Sequence, residues 1–404
     1  MPSQRRQLQT ARPIGLGLLA LALLLVALLG LSAPAGAGAK GVRKLAEARA
    51  VGQPRCAQAR RNLMAHRPTL RRRTARRPKS CGAPHTGGGP LYWGAWIGDQ
   101  LTGTEAPWDM GAVSKFEAMT GKSASVINFS SPFADCSKSP CSFYSFPEEE
   151  MESIRQHGSI PFFSWGSQAT PMPSNLSEPD FQLADVIEGR YDTYIREFAE
   201  AARDWGHPFF LRFNWEMNGN WFAWMEGVNG NQPGESVAAW RHVHDIFTQV
   251  GATNVSWVWC PNVDPGHKLR DLASLYPGDA YVDWTGLDGY NFGGGNWMTF
   301  NELFRSTYDE ITEEIAPSKP LIISETGSSE RGGSKAQWIA EALRSARTEY
   351  PQLHGLLWFE KYDDGMDWPI ETSSSATAAF AEGIQNPAYV GNSFASASSI
   401  SPTG

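Results

Sequence analysis

Eight short apolar segments recur through the body of the chain, each separated from the next by a stretch with helical spacing. That alternation restricts the fold more than any other feature. The segments lie at 91–96, 124–129, 160–164, 209–213, 255–259, 284–290, 321–324 and 356–359. They do not alternate apolar with polar, as expected for parallel strands covered on both faces. Between them, Tyr191, Tyr194, Ile195, Phe198, Ala202 and Trp205 follow a 3.6-residue period, as do Trp240, Val243, Ile246, Phe247 and Val250. Trp338, Ile339, Ala342, Leu343, Ala346 and Tyr350 repeat the pattern. Glu148, Glu149 and Glu150 after Pro147 suit a first helical turn, where the helix dipole favours acids, and His157-Gly158 marks its stop.

Eight strands, each followed by a helix, in about 300 residues predict an α/β fold of the (β/α)8 barrel type. A doubly wound open sheet competes, but a Gly-rich phosphate turn should then follow the first strand, where Gly98-Asp99-Gln100 stands instead. The barrel is expected over 90–388, with a Ser-, Ala-, Pro- and Gly-rich disordered tail at 389–404.

The region before it differs in charge. Residues 1–90 hold 17 of the 35 basic residues and one of the 42 acids, Glu47, leaving 18 basic against 41 acidic residues afterwards. So acidic a body argues against nucleic acid as a partner. Arg5, Arg6 and Arg12, the apolar run 14–31 and the small residues near 35–39 read as a secretory signal peptide over 1–39. The run is also long enough to serve as an uncleaved anchor facing the outside. Residues 40–89 read as a basic, disordered linker, a solvated spacer or an electrostatic contact with anionic cell-envelope polymers. The chain is expected to act outside the cell, as a monomer.

Export permits disulfides, and five cysteines leave at least one unpaired. Cys136 and Cys141 flank a four-residue loop and form the best pair; Cys56 with Cys81 is a weaker one, and Cys260 at a strand end reads as a buried free thiol. The eight histidines show no metal-ligand spacing, so neither metal nor cofactor is expected.

Two strand ends carry carboxylates. Phe209-Phe210-Leu211-Arg212-Phe213-Asn214-Trp215-Glu216 closes the fourth segment, and Leu321-Ile322-Ile323-Ser324-Glu325 the seventh. Barrel enzymes keep their chemistry at the carboxyl ends of strands. Across the mouth, two such groups can lie about 5 Å apart, the separation for double displacement at a sugar. Glu216 is then the acid/base, its pKa raised by apolar neighbours such as Trp215, Phe213 and Trp221, and Glu325 the nucleophile. Tyr290 at the end of the sixth strand is placed to orient Glu325. Trp358, on the eighth, is expected as the floor under the sugar, with Trp221 and Trp96 as further stacking faces among 16 tryptophans. Asn218 and Asn262 are candidates for sugar hydroxyls. Arg212, inside the fourth strand, needs a buried partner, Glu216 or Glu325, and is a further substrate-binding candidate.

Over residues 90 to 388 the arrangement resembles glycoside hydrolase family 26, (β/α)8 retaining glycosidases. Glu216-Met217-Asn218-Gly219-Asn220-Trp221-Phe222 is similar to the family's segment around its acid/base, and Ser324-Glu325 to its nucleophile; Tyr290 and Trp358 fall where it has a tyrosine and a stacking tryptophan. The resemblance implies an endo-β-1,4-mannanase-like enzyme on a polysaccharide or oligosaccharide, with β-1,3-1,4-glucanase or β-xylanase as alternatives. Trp215 departs from the pattern, since the family's mannanases carry a histidine immediately before the acid/base. A carbohydrate-binding pseudoenzyme is the reading from another class.

Overall fold

The computed structural model describes residues 89–402 apart from 267 and 364. The expected signal peptide, the basic linker up to residue 88, and Cys56 with Cys81 lie outside the described residues. Within them the eight expected segments are the strands of one closed barrel: β1 (Tyr92–Ile97), β2 (Val126–Asp135), β3 (Ile160–Thr170), β4 (Phe209–Phe213), β5 (Val255–Trp259), β6 (Trp284–Asn291), β7 (Leu321–Ser328) and β8 (Leu353–Glu360). Neighbours in sequence pair in parallel all the way round, and β8 and β2 both pair with β1. The (β/α)8 barrel read from the sequence is the fold.

Helices cover the outside, α1 (Met110–Thr120), α2 (Glu148–His157), α3 (Asp192–Trp205), α4 (Glu235–Val250), α5 (Leu272–Leu275), α6 (Phe300–Glu310), α7 (Lys335–Thr348) and α8 (Ser374–Ile384), with a further five-residue helix, Leu183–Ile187, between β3 and α3. Their buried faces follow the periodicity. On α3 these are Ile195, Phe198, Ala199 and Ala202, and on α7 they include Trp338, Ile339, Ala342, Leu343 and Ala346. α2 starts on its three glutamates and ends at Gly158, whose φ of +94° suits a residue without a Cβ.

Alternation along the strands sorts side chains into two sets. Facing inwards at the amino end of the barrel, Tyr92, Phe162, Phe210 and Trp284 form a ring plug with centroid separations of 5.2 to 6.3 Å. Above it the interior turns polar, with Asn128, Ser164, Arg212, Asp288 and Ser324 all buried. The outward set, including Trp93, Phe163 and Trp358, packs under the helices.

Two expectations about extent need correction. β2 and β3 run on to Asp135 and Thr170, well past 129 and 164. Their extensions pair with each other, and Phe133 and Trp165 find cover from Tyr194 of α3. The segment 389–402, expected to be a disordered tail, carries no regular element but is packed. Tyr389 is buried and donates to the Leu343 carbonyl (2.6 Å), the Phe394 ring lies 5.5 Å from Tyr92, and the Tyr92 hydroxyl donates to the Ser401 carbonyl (2.7 Å). Two aromatic rings among small residues suffice to tie the segment across the amino end of the barrel.

Candidate active site

β4 stops at Phe213, so Glu216 is set by the turn that follows and not by the strand. Asn214 and Glu216 both have left-handed backbones, φ +42° and +55°, each costing about 1–3 kcal/mol for a residue with a side chain. The surroundings hold them there. Asn214 accepts from the Ser167 amide and donates to the Ser167 hydroxyl, both at 2.8 Å, and the Glu216 amide donates to the Cys260 carbonyl at 2.6 Å. The twist aims the Glu216 carboxyl into the barrel mouth, where it is 1% exposed. Asn262 Nδ2 donates to Oε1 (2.7 Å) and Trp221 Nε1 to Oε2. Burial first, then the Glu325 carboxylate, push its pKa up to about 7, against the smaller lowering effects of Trp221, Asn262 and Arg212.

Glu325 reaches the same mouth by a different device. Ile322 and Ser324 face the barrel interior, so regular alternation would turn Glu325 outwards. The register with β6 shifts between Leu287 and Asp288, pairing Leu287 with Ile323 but Asp288 with Glu325. This bulge leaves Ser324 unpaired and turns both Ser324 and Glu325 inwards. Arg212 Nη2 donates to Oε1 of Glu325, and the Tyr290 hydroxyl to Oε2 at 2.5 Å. Burial, chiefly, and the Glu325 carboxylate push the Tyr290 phenol well above its usual range, so it stays a donor.

Of the other expected residues, Asn262 and Trp221 meet Glu216, and Tyr290 meets Glu325. Trp96 lies at the mouth, 5.6 Å from Phe359. Three do not sit as expected. Arg212 does not face substrate: it is 0% exposed, and donates to Glu325, to Asp288 Oδ2 (2.6 Å) and to the Ser164 hydroxyl (2.9 Å). Of the two partners expected for it, the structure supplies Glu325, while Glu216 makes no hydrogen bond with it. Asn218 spends both ends of its amide on the Asn262 backbone, at 2.8 and 2.9 Å, and so clips the β4 and β5 loops together. Trp358 is a core residue. Its ring packs on Phe380 of α8 and Trp338 of α7, because alternation turns it outward while Phe359 faces the mouth.

Sequence reasoning passed over Asp288, Phe359 and Trp368. Asp288 lies between Gly286 and Tyr290 on the inward face of β6, and its even spacing from Tyr290 was the available signal. Trp368, in the loop after β8, stands 5.0 Å from Tyr290 and 5.3 Å from the half-exposed Phe292. No periodicity marks such a loop residue. Cys136 and Cys141 are bridged away from the mouth, and Cys260 is a buried free thiol beneath it, its Sγ 3.2 Å from Asp288 Oδ1. Among the described residues, no group of three or more His, Cys, Asp or Glu is arranged to hold a metal ion.

The chain is similar to several known glycoside hydrolases. Endoglucanase H of Acetivibrio thermocellus is 33% identical over 308 residues, 73% of this chain and 30% of that protein. A mannan endo-1,4-beta-mannosidase of Bacillus subtilis is 28% identical over 223 residues, 52% of this chain and 56% of the enzyme. The chain thus spans well under two thirds of either relative. The crystal structure of the GH26 domain of an endo-beta-mannanase/endo-beta-glucanase from Prevotella bryantii superposes with a TM-score of 0.54 at 16% identity, covering 77% of this chain and 93% of that domain. The sequence profile of Glycosyl hydrolase family 26 matches residues 98–328, and the chain belongs to that family.

Proposed function

We propose that the chain is an exported endo-β-glycanase that cleaves a polysaccharide backbone with retention of configuration, with β-1,4-mannan as its first candidate substrate. The observation that carries this reading is the pair of unlike carboxyls in one mouth: Glu216 neutral up to about pH 7, Glu325 gripped by a guanidinium and a phenol. Glu216 gives its proton to the departing glycosidic oxygen while an oxygen of Glu325 attacks the anomeric carbon, forming a glycosyl ester. Glu216, now ionised, takes a proton from water, whose oxygen displaces Glu325 and regenerates both groups. Tyr290 and Arg212 hold Glu325 in line for the attack. Phe359, Trp96, Trp221 and Trp368 supply flat faces around the two carboxyls. Export rests on the sequence of 1–39.

A glucan backbone is the second reading, favoured by Trp215. This ring stands where the family's mannanases carry a histidine, and it lies 5.0 Å from the Arg212 guanidinium and 5.3 Å from Phe222, an apolar contact in place of an imidazole. Reducing-end release from mannan, mixed-linkage glucan and xylan, with Glu325→Ala as the blank, separates the substrates. Glu325-dependent cleavage of one polymer is the expected result. Equal activity in the Glu325→Ala protein would overturn the assignment of the nucleophile.

A further inference from the structure

The two strands that outrun the barrel carry a second aromatic surface that the mouth does not use. The extension of β2 turns back through the Cys136–Cys141 bridge into the antiparallel pair Ser142–Phe143, so the turn is covalently pinned. Phe143 and Tyr144 beyond it are 44% and 42% exposed, unusual for large rings in a barrel that buries most of its aromatics. The Phe143 ring stands 4.8 Å from Tyr194, 5.8 Å from Tyr191 and 6.3 Å from Phe181. Phe181 and Tyr191 stack at 5.6 Å with 9° between their planes. Asp180, Arg190 and Glu197 form the polar edge, with Arg190 bonded to Asp180 (2.9 Å) and Asp185 (3.1 Å).

Phe143, Phe181, Tyr191 and Tyr194, with Asp180, Arg190 and Glu197, line an open groove of about 520 Å³, within the range of small-ligand sites, and Tyr144 follows Phe143 directly in the chain. They come from the loops after β2 and β3 and the first turns of α3, which places the groove on the carboxyl-end face of the barrel, the same face as the two glutamates. The loop after β3 is also tied to the loop that carries Trp221. The Glu178 amide donates to Asn229 Oδ1 and Gln182 Nε2 to the Asn229 carbonyl, both at 2.7 Å, and the Leu183 amide donates to Asn231 Oδ1 at 2.9 Å.

We propose that this groove is a second glycan-binding site, which holds a length of the polysaccharide outside the cleavage mouth. The proposal rests on the hydrolase reading above for the kind of polymer bound. Flat rings match the apolar C–H face of a pyranose, and carboxylates and a guanidinium along one edge match its hydroxyls. The bridge and the ring-on-ring packing fix the platform in advance, so little conformational freedom is lost on binding. An anionic polymer fits poorly, because the barrel region carries 41 acids against 18 basic residues.

The test uses the full chain with Glu325→Ala, so that nothing is cleaved, in affinity gels containing glucomannan, mixed-linkage glucan or xylan. Replacing Phe143 and Tyr144 together by alanine removes two exposed rings and leaves the Tyr144 carbonyl that Tyr194 uses. Retention is expected to weaken about tenfold. In the Glu325-intact protein, kcat/KM should fall on the polymer and stay unchanged on a short aryl glycoside. Unchanged retention on all three gels would overturn the groove and leave the hydrolase reading standing; an equal loss on the short substrate would also overturn it, since the rings would then belong to the mouth. Retention lost in the double variant, with no polymer cleaved by the wild type, would overturn the hydrolase reading alone.

Discussion

Glu216→Gln should make the protein more stable, increasingly so as pH rises from about 4.5 through about 7. The Glu216 carboxyl is raised from 4.5 to about 7 by burial and by Glu325, so ionising it is harder in the folded chain than in the unfolded one. Below about pH 4.5 the group is protonated in both states and has no effect. As pH rises from about 4.5 through about 7 the wild type progressively loses the stability that the neutral form kept. At 1.36 kcal/mol for each unit, that loss reaches about 3 kcal/mol by pH 8. Glutamine mimics the neutral acid, with one oxygen to accept from Trp221 or Asn262 and no charge to bury beside Glu325. Urea denaturation of both proteins at pH 4 and pH 8 isolates the effect, because every other titrating group is common to the pair. The expected result is a difference near zero at pH 4 and about 3 kcal/mol in favour of the variant at pH 8. A difference that does not change with pH would refute the reasoning. The same raised pKa predicts that wild-type hydrolysis falls above about pH 7, as the acid ionises, and that Glu216→Gln loses turnover on substrates with poor leaving groups.

Arg212→Met leaves Asp288 and Glu325 buried without their shared cation and should cost about 3–5 kcal/mol in a urea titration; a loss below about 1 kcal/mol would mean that the pairing adds nothing beyond packing. Trp358→Ala should cost a similar 3–5 kcal/mol through the cavity it leaves under α7 and α8, with KM of the folded protein unchanged. Trp368→Ala, by contrast, should lower kcat/KM about tenfold by removing a ring beside Tyr290. A rise in KM for Trp358→Ala would return that tryptophan to the substrate.

The barrel was legible because its elements are repeated and local. Apolar runs of strand length and amphipathic stretches between them occur eight times, and such a pattern closes into few shapes. Glu216 and Glu325 were legible as strand-end carboxylates, and Tyr290 as their neighbour. Trp358 misled because its strand end drew attention and its parity did not: Leu357 and Phe359 face inwards, so Trp358 cannot. Arg212, called on for substrate, is fully consumed by Asp288 and Glu325, partners 76 and 113 residues away in sequence. Asn218 was spent on the backbone of the next loop in the same way. Trp368 had no local signal at all.

The sequence by itself therefore determined the number and order of the elements and the two acids that could do chemistry, because propensity and period act over a few residues. The tertiary structure decided which way those acids point and what each one feels. A left-handed turn aims Glu216, a one-residue bulge turns Glu325 inwards, and the burial that separates their chemistry exists only when eight strands meet. Charge and solvation at a point depend on everything within a few ångströms, and in a closed barrel those neighbours come from every part of the chain.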